Sequence, residues 1–156
     1  MRINSAKELT VYRKAYALAM AVFRVTAGWP KEERYSLSSQ IRRSSRSVCA
    51  NLREAWSKRR YEAHFLSKLS DCDGENAETD TWLDLARDCG YLSGEEHESM
   101  VGDCAEIGAM LGAMIQAPER FLKPSRPSSA RKPKLKPGDN EADPINDEPP
   151  PPRPAH

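Results

Sequence analysis

Arg42, Arg43, Arg46, Arg53 and Arg60 crowd the stretch Ser36 to Arg60, SLSSQIRRSSRSVCANLREAWSKRR. Between Arg34 and Arg60 there are eight Lys/Arg and a single acid, Glu54. A guanidinium presents a planar fork of donors that fits phosphate or carboxylate oxygens two at a time. At about 100° per residue, Arg42, Arg46, Arg53 and Arg60 fall within about 40° of one another on a helix. Two partners suit such a stripe. One is the phosphate backbone of RNA or DNA. The other is a set of acids on a neighbouring helix or a neighbouring subunit. No exposed aromatic is expected among these arginines, so nucleic-acid binding through them should be weakly sequence-specific.

Other chemistry is sparse. A di-metal site in a helical bundle needs Glu-x-x-His on two helices, and no Glu here has a His three residues later. His64, His97 and His156 have no clustered partners. Asp71, Glu75 and Glu78 share one helical face, beside the apolar line and not in it. There is no glycine-rich phosphate loop and no G-x-S-x-G elbow. Cys49, Cys72, Cys89 and Cys104 form no C-x-x-C pair and read as reduced core thiols. No catalytic residue, metal ligand or cofactor is therefore assigned, and the chain reads as non-enzymatic.

The elements that would position the arginines are helices. Leu37, Ile41, Val48, Leu52 and Ala55 recur at helical spacing and make the apolar edge beside the stripe, with Ser36 as the expected N-cap. Before it, Ser5-Ala6-Lys7-Glu8 has the form of a capping box. Leu9, Tyr12, Ala15, Tyr16, Ala19, Val22, Phe23 and Thr26 then suggest one buried face, stopped by a left-handed turn at Gly28 ahead of Pro30. Lys31 to Tyr35 reads as a charged connector. After a break near Trp56–Tyr61, Phe65, Leu69, Cys72, Asn76, Thr79, Leu83 and Ala86 keep a four-three rhythm. Asn76 on that line is a register-fixing polar group, and Gly74 a place for another helix to approach. Gly90 ends this helix, Ser93 to Glu96 is a second capping box, and His97, Met100, Cys104, Ile107, Leu111 and Met114 form the fourth seam. Gly108 and Gly112 leave it a shallow face.

The expected fold is all-α, an antiparallel up-down-up-down four-helix bundle over residues 1–122. Residues 123–156 carry ten of the twelve prolines, a basic run and then an acidic run. They should form a disordered tail, whose final prolines suit either a solubilising role or a polyproline II ligand. Net charge is only +1, but from Tyr61 to Glu106 thirteen acids face two bases. A basic helix followed by acidic ones suits side-by-side self-association. No apolar run approaches the roughly 20 residues that span a bilayer, and the N-terminus lacks the apolar core of a leader. The expected location is cytoplasmic, with no membrane partner.

Several pieces occur in a set order: Leu9-Thr10-Val11-Tyr12-Arg13-Lys14-Ala15-Tyr16, then Pro30-Lys31-Glu32-Glu33-Arg34-Tyr35-Ser36-Leu37, then Gln40-Ile41-Arg42-Arg43-Ser44-Ser45-Arg46-Ser47-Val48. Asn51-Leu52-Arg53-Glu54-Ala55 and Gly90-Tyr91-Leu92 follow. Together they resemble the bacterial S23 family, the proteins encoded in intervening sequences of 23S ribosomal RNA genes. Many members have Asn-Ile-Ala-Glu-Gly in place of Asn51-Leu52-Arg53-Glu54-Ala55. The resemblance covers about Lys7 to Phe121. It implies a four-helix bundle assembled as a ring-shaped homo-pentamer, with no catalytic residues. It also implies kinship with accessory proteins of diversity-generating retroelements, which bind a reverse transcriptase and nucleic acid. The expected partners are thus a second copy of the chain, RNA or DNA, and, in the retroelement reading, a reverse transcriptase. An oligomeric protein-interaction scaffold is the alternative.

Overall fold

Periodic apolar edges of this length can be buried only against one another, and they are. The computed structural model describes residues 3–124. The expected disordered tail lies outside the described residues, except for Lys123 and Pro124. Four helices follow in order: α1 Thr10–Thr26, α2 Leu37–Lys58, α3 Glu62–Asp88 and α4 Gly94–Gln116. Single 3-10 turns, Ala6–Glu8, Lys31–Glu33 and Pro118–Arg120, dress the ends. Each helix packs on the next, and α4 returns to α1. Short connections make neighbours antiparallel, so this is the expected four-helix bundle. No strand occurs among the described residues.

The core runs along the whole bundle. Val22, Ile41, Phe65, Leu69, Leu83, Ile107 and Leu111 are sealed from solvent. Every residue of the four-three line on α3 is buried, and so is the α4 seam from Met100 to Met114. The helices α2 and α3 meet through small side chains. Ser44 Oγ and Thr79 Oγ1 lie 2.8 Å apart, and Thr79 also donates to the Glu75 carbonyl at 2.9 Å. Such hydroxyls stay buried because each finds a partner in the neighbouring turn or helix. Asn76, on the buried line, donates through Nδ2 to the Cys104 carbonyl at 2.9 Å. That ties α3 to α4 at one register, as expected.

Helix α1 departs from expectation in part: Leu9, Ala15, Val22 and Thr26 of the expected face are buried, but Tyr16 and Phe23 are not. Its buried residues are Val11, Ala15, Leu18, Val22 and Thr26. Tyr16 is 55% exposed and Phe23 43% exposed. The helix is apolar around more than half its girth, and the stripe that turns inward carries the smaller aliphatic groups. Of the aromatic stripe, Tyr16 and Phe23 are left outside, while Tyr12 packs partly against the core.

The caps also differ in detail. Ser93 and Glu96 form the expected reciprocal box. Ser5 instead caps the short 3-10 turn, and Glu8 reaches back to the Asn4 amide at 3.3 Å. Ser36 makes no side-chain cap; the Glu33 carboxylate takes the Leu37 amide at 3.0 Å in its place. Gly90 has the left-handed φ of 79° expected at the end of α3, and Tyr91 N–H reaches the Ala86 carbonyl at 2.8 Å. Gly28 does not: α1 ends through right-handed Ala27. Gly74 stands on the open side of α3, where a Cβ would meet nothing within 4 Å, so no helix approaches there. Gly108 does lie close to α3, a Cβ there sitting 3.5 Å from Asn76 Nδ2, whereas Gly112 faces open space.

Two glycine replacements should therefore move stability in opposite directions. Gly74→Ala should stabilise by up to about 1 kcal/mol through helix propensity. Gly90→Ala should destabilise by about 1 kcal/mol, because alanine is strained at positive φ. Urea unfolding followed by helical circular dichroism checks both, and midpoint shifts of the same sign would contradict the assignment.

Candidate functional site

The five candidate arginines of the stretch do not share one environment. Arg42 turns to α1. Its Nε donates to Thr26 Oγ1 at 2.6 Å and its Nη2 to the Phe23 carbonyl at 3.4 Å. Its guanidinium lies 5.0 Å from the centroid of the Phe23 ring. A cation there meets the negative end of the α1 dipole and its unpaired carbonyls. Arg43 turns to α3, where its Nη1 is 3.2 Å from both carboxylate oxygens of Glu75 and its Nη2 pairs with Glu78. For Arg43 the partner is thus the neighbouring acidic helix. Arg46, Arg53 and Arg60 are exposed and make no ion pair or side-chain hydrogen bond among the described residues. Glu54, the lone acid of the stretch, is taken by Lys68 of α3 at 3.0 Å, as is Asp71 at 3.3 Å.

A groove of about 550 Å³ runs along the outer side of α2, lined by Arg34, Tyr35, Ser39, Arg42, Arg43 and Arg46 among others. A second groove, bounded by Lys31, Arg34, Ser38 and Arg42, continues it towards the end of α1. The residues that complete this basic surface, Lys31, Arg34 and Tyr35, come from the connector before α2. Sequence reasoning passed over them because a short charged turn has no periodicity to reveal which way it faces. The signal available was the adjacency of Arg34 and Tyr35 to the arginine helix. Tyr35 corrects the expectation that no exposed aromatic accompanies the arginines: it is 88% exposed.

The connector is held by Glu33. Its carboxylate accepts from Leu37 N–H at 3.0 Å and from the Tyr91 hydroxyl at 3.0 Å. Trp29 packs near the Tyr91 ring, centroid to centroid 5.7 Å. The turn therefore presents Arg34 and Tyr35 from a braced stem.

On the other side of Arg46 lies a groove of different character. Tyr12, Tyr16, Ala19, Met20 and Phe23 of α1 line about 360 Å³ with Arg46 and Cys49 of α2. Burial pushes the Cys49 thiol up to about 11, so it is protonated and apolar at neutral pH. Arg46 thus borders a basic groove and an apolar one.

Among the described residues no group of three or more His, Cys, Asp and Glu could hold a metal ion. His97 Nε2 pairs with Asp84 at 2.7 Å, away from the arginines. No helix among the described residues is long and apolar enough to cross a membrane.

The model of the family described as 23S rRNA-intervening sequence protein matches residues 7–113. A solved structure from Bacteroides thetaiotaomicron, a protein of unknown function from the S23 ribosomal protein family, is similar at 30% identity with a TM-score of 0.63. The similarity covers 69% of this chain and 96% of that one. No curated protein matches the sequence.

The matched region includes the Glu33 turn, whose brace is testable by pH. The Leu37 amide first, and then the Tyr91 hydroxyl, hold the Glu33 carboxyl below its usual 4.5. A lowered folded pKa adds stability that is complete above the unfolded value and lost as pH falls through the folded one. Glu33→Gln should therefore lower the urea midpoint at neutral pH. The gap from the parent should close as pH is taken below 4.5. A gap that persists unchanged in acid would show that the charge contributes nothing.

Proposed function

The chain belongs to the 23S rRNA-intervening sequence protein family, and from that premise we propose that it binds the phosphate backbone of RNA or DNA along the outer face of α2. The proposed role is binding without a chemical step. One observation carries it: Arg46 and Arg53 on α2, and Arg60 in the turn that follows the helix, are exposed and make no ion pair among the described residues. Arg43 shows what the alternative looks like when it operates, with both Glu75 and Glu78 turned to one guanidinium. The acids available to the rest of the stripe are engaged elsewhere, Glu54 and Asp71 with Lys68. Exposed like charges repel each other, and a polyanion that releases its counterions relieves that repulsion.

Arg42 leaves the set of contacts expected from spacing, because its hydrogen bonds to α1 already occupy it. Arg34 takes its place. Arg34→Glu, Arg46→Glu and Arg53→Glu together should abolish retention of a labelled RNA at low salt while leaving helicity intact. In the parent, log affinity should fall steeply with log salt, by about 0.7 to 0.9 for each phosphate contacted. Retention of the RNA by the triple variant would end this reading.

A second reading, self-assembly, rests on a different feature. Tyr16, Met20 and Phe23 leave an apolar face exposed on α1. Covering what remains exposed of these side chains is favourable, as burial of apolar surface is in most protein association. A basic flank on α2 and acidic α3 and α4 are suited to a head-to-tail contact, which closes into a ring when the rotation allows. We propose a ring of five copies, the assembly that the family resemblance implies. Tyr16→Glu with Phe23→Glu should reduce it to monomers by size exclusion with light scattering. An assembly of unchanged mass would exclude this face as the contact.

A further inference from the structure

We propose that Tyr35 is a base-stacking platform, which makes unpaired, single-stranded nucleic acid the ligand of the arginine groove. This rests on the phosphate-binding reading above and adds the class of strand. Tyr35 is 88% exposed, the most exposed large apolar side chain among the described residues. It contributes nothing to the core, and its hydroxyl has no hydrogen bond there. A ring this exposed offers a flat apolar face that gains when another flat surface covers it.

Its backbone is nevertheless fixed. Ser36 N–H reaches the Glu33 carbonyl at 3.0 Å, and Arg34 N–H the Lys31 carbonyl at 3.1 Å. Glu33 clamps the start of α2 at Leu37. The ring therefore stands on a pre-set stem, which lowers the entropy lost when it is covered.

What surrounds it identifies the cover. Tyr35 shares one groove of about 550 Å³ with Arg34, Arg42, Arg43 and Arg46, and with the Ser39 hydroxyl. A nucleotide needs both halves of that surface: cations for its phosphate and a flat apolar face for its base. Aromatic rings beside a basic track are the arrangement by which single strands are held without regard to sequence, since every base has a π face. In a duplex those faces are closed by neighbouring base pairs, and only phosphates and groove edges remain accessible. A duplex would thus use the arginines and leave Tyr35 idle.

The test uses the full chain with a fluorescently labelled 20-nucleotide oligouridylate, and the same strand paired with oligoadenylate. Tyr35→Ala should weaken binding of the single strand about 10-fold or more. It should leave duplex binding and the salt dependence of affinity unchanged, because no phosphate contact is lost. Tyr35→Phe should retain the parent affinity. Arg46→Glu should weaken both ligands and flatten the salt dependence. If Arg46→Glu loses binding but Tyr35→Ala does not, stacking is overturned and phosphate binding stands. If Tyr35→Ala weakens both ligands equally, stacking is likewise overturned. If the parent chain holds neither oligonucleotide, both readings fall together.

Discussion

The buried contact between Ser44 and Thr79 sets the rotation of α2, and most of the surface chemistry follows from that rotation. Two hydroxyls 2.8 Å apart and sealed from water bring the α2 and α3 backbones close. Cys72 lies on the same seam, its thiol 3.7 Å from the Val48 carbonyl. Larger side chains at these positions would force the helices apart, since interiors this dense do not absorb added volume. With Ser44 fixed inward, Arg43 must swing to the α3 side and Arg42 to the α1 side. Arg46 and Arg53 lie within about 40° of Arg42 on the helix, and Arg46 borders the groove on the α1 side without an ion pair. The polar seam thus converts an ordinary arginine-rich helix into one with two distinct flanks.

Those flanks have different costs. Exposed ion pairs such as Arg43 with Glu75 typically contribute only about 0–1 kcal/mol. Arg43 therefore matters more for consuming two acids than for holding the bundle. Arg42 does more, because it satisfies the end of α1 and lies over Phe23 at once. The Phe23 ring faces outward, in the same groove as Tyr16 and Met20. The apolar groove and the basic groove are consequently built by neighbouring residues of one helix, and Arg46 is a wall of both.

The legible parts of the fold were those where only one face could be buried. On α3 most positions outside the line Phe65 to Ala86 are acidic, polar or small, and Leu66, Trp82 and Leu85 do not make a second continuous stripe, so the rhythm favours one face. The α4 seam is equally unambiguous, and Gly90 and Ser93 carry their own punctuation. On α1 the expected face joined Tyr12, Tyr16 and Phe23 to Ala15 and Val22, whereas Val11 and Leu18 are buried beside Val22, and periodicity cannot rank adjoining apolar stripes on one helix. Packing ranks them, through the space that α2 and α4 leave. Ser36 failed as a cap for a related reason: its backbone, at φ −122° and ψ −113°, leaves the extended form of a cap, and a carboxylate from the preceding turn, Glu33, serves the Leu37 amide of the first turn. The arginine stripe was visible in spacing alone. Which arginines were already engaged was not, because the Thr26 and Glu75 partners lie far away in sequence.

An exposed basic groove on one small bundle would hold a strand weakly, since a few phosphate contacts lose most of their strength at physiological salt. Repeating the groove around a ring changes the arithmetic without adding any contact. Once one groove is occupied, the rest of the strand meets the next at an effective concentration set by the spacing, and overall binding can rise by about 10²–10⁴. The two readings of the surface therefore support each other. An apolar face that assembles copies supplies the multiplicity that a shallow arginine track lacks, and Arg46, standing on the border between them, is where assembly and strand binding would be coupled.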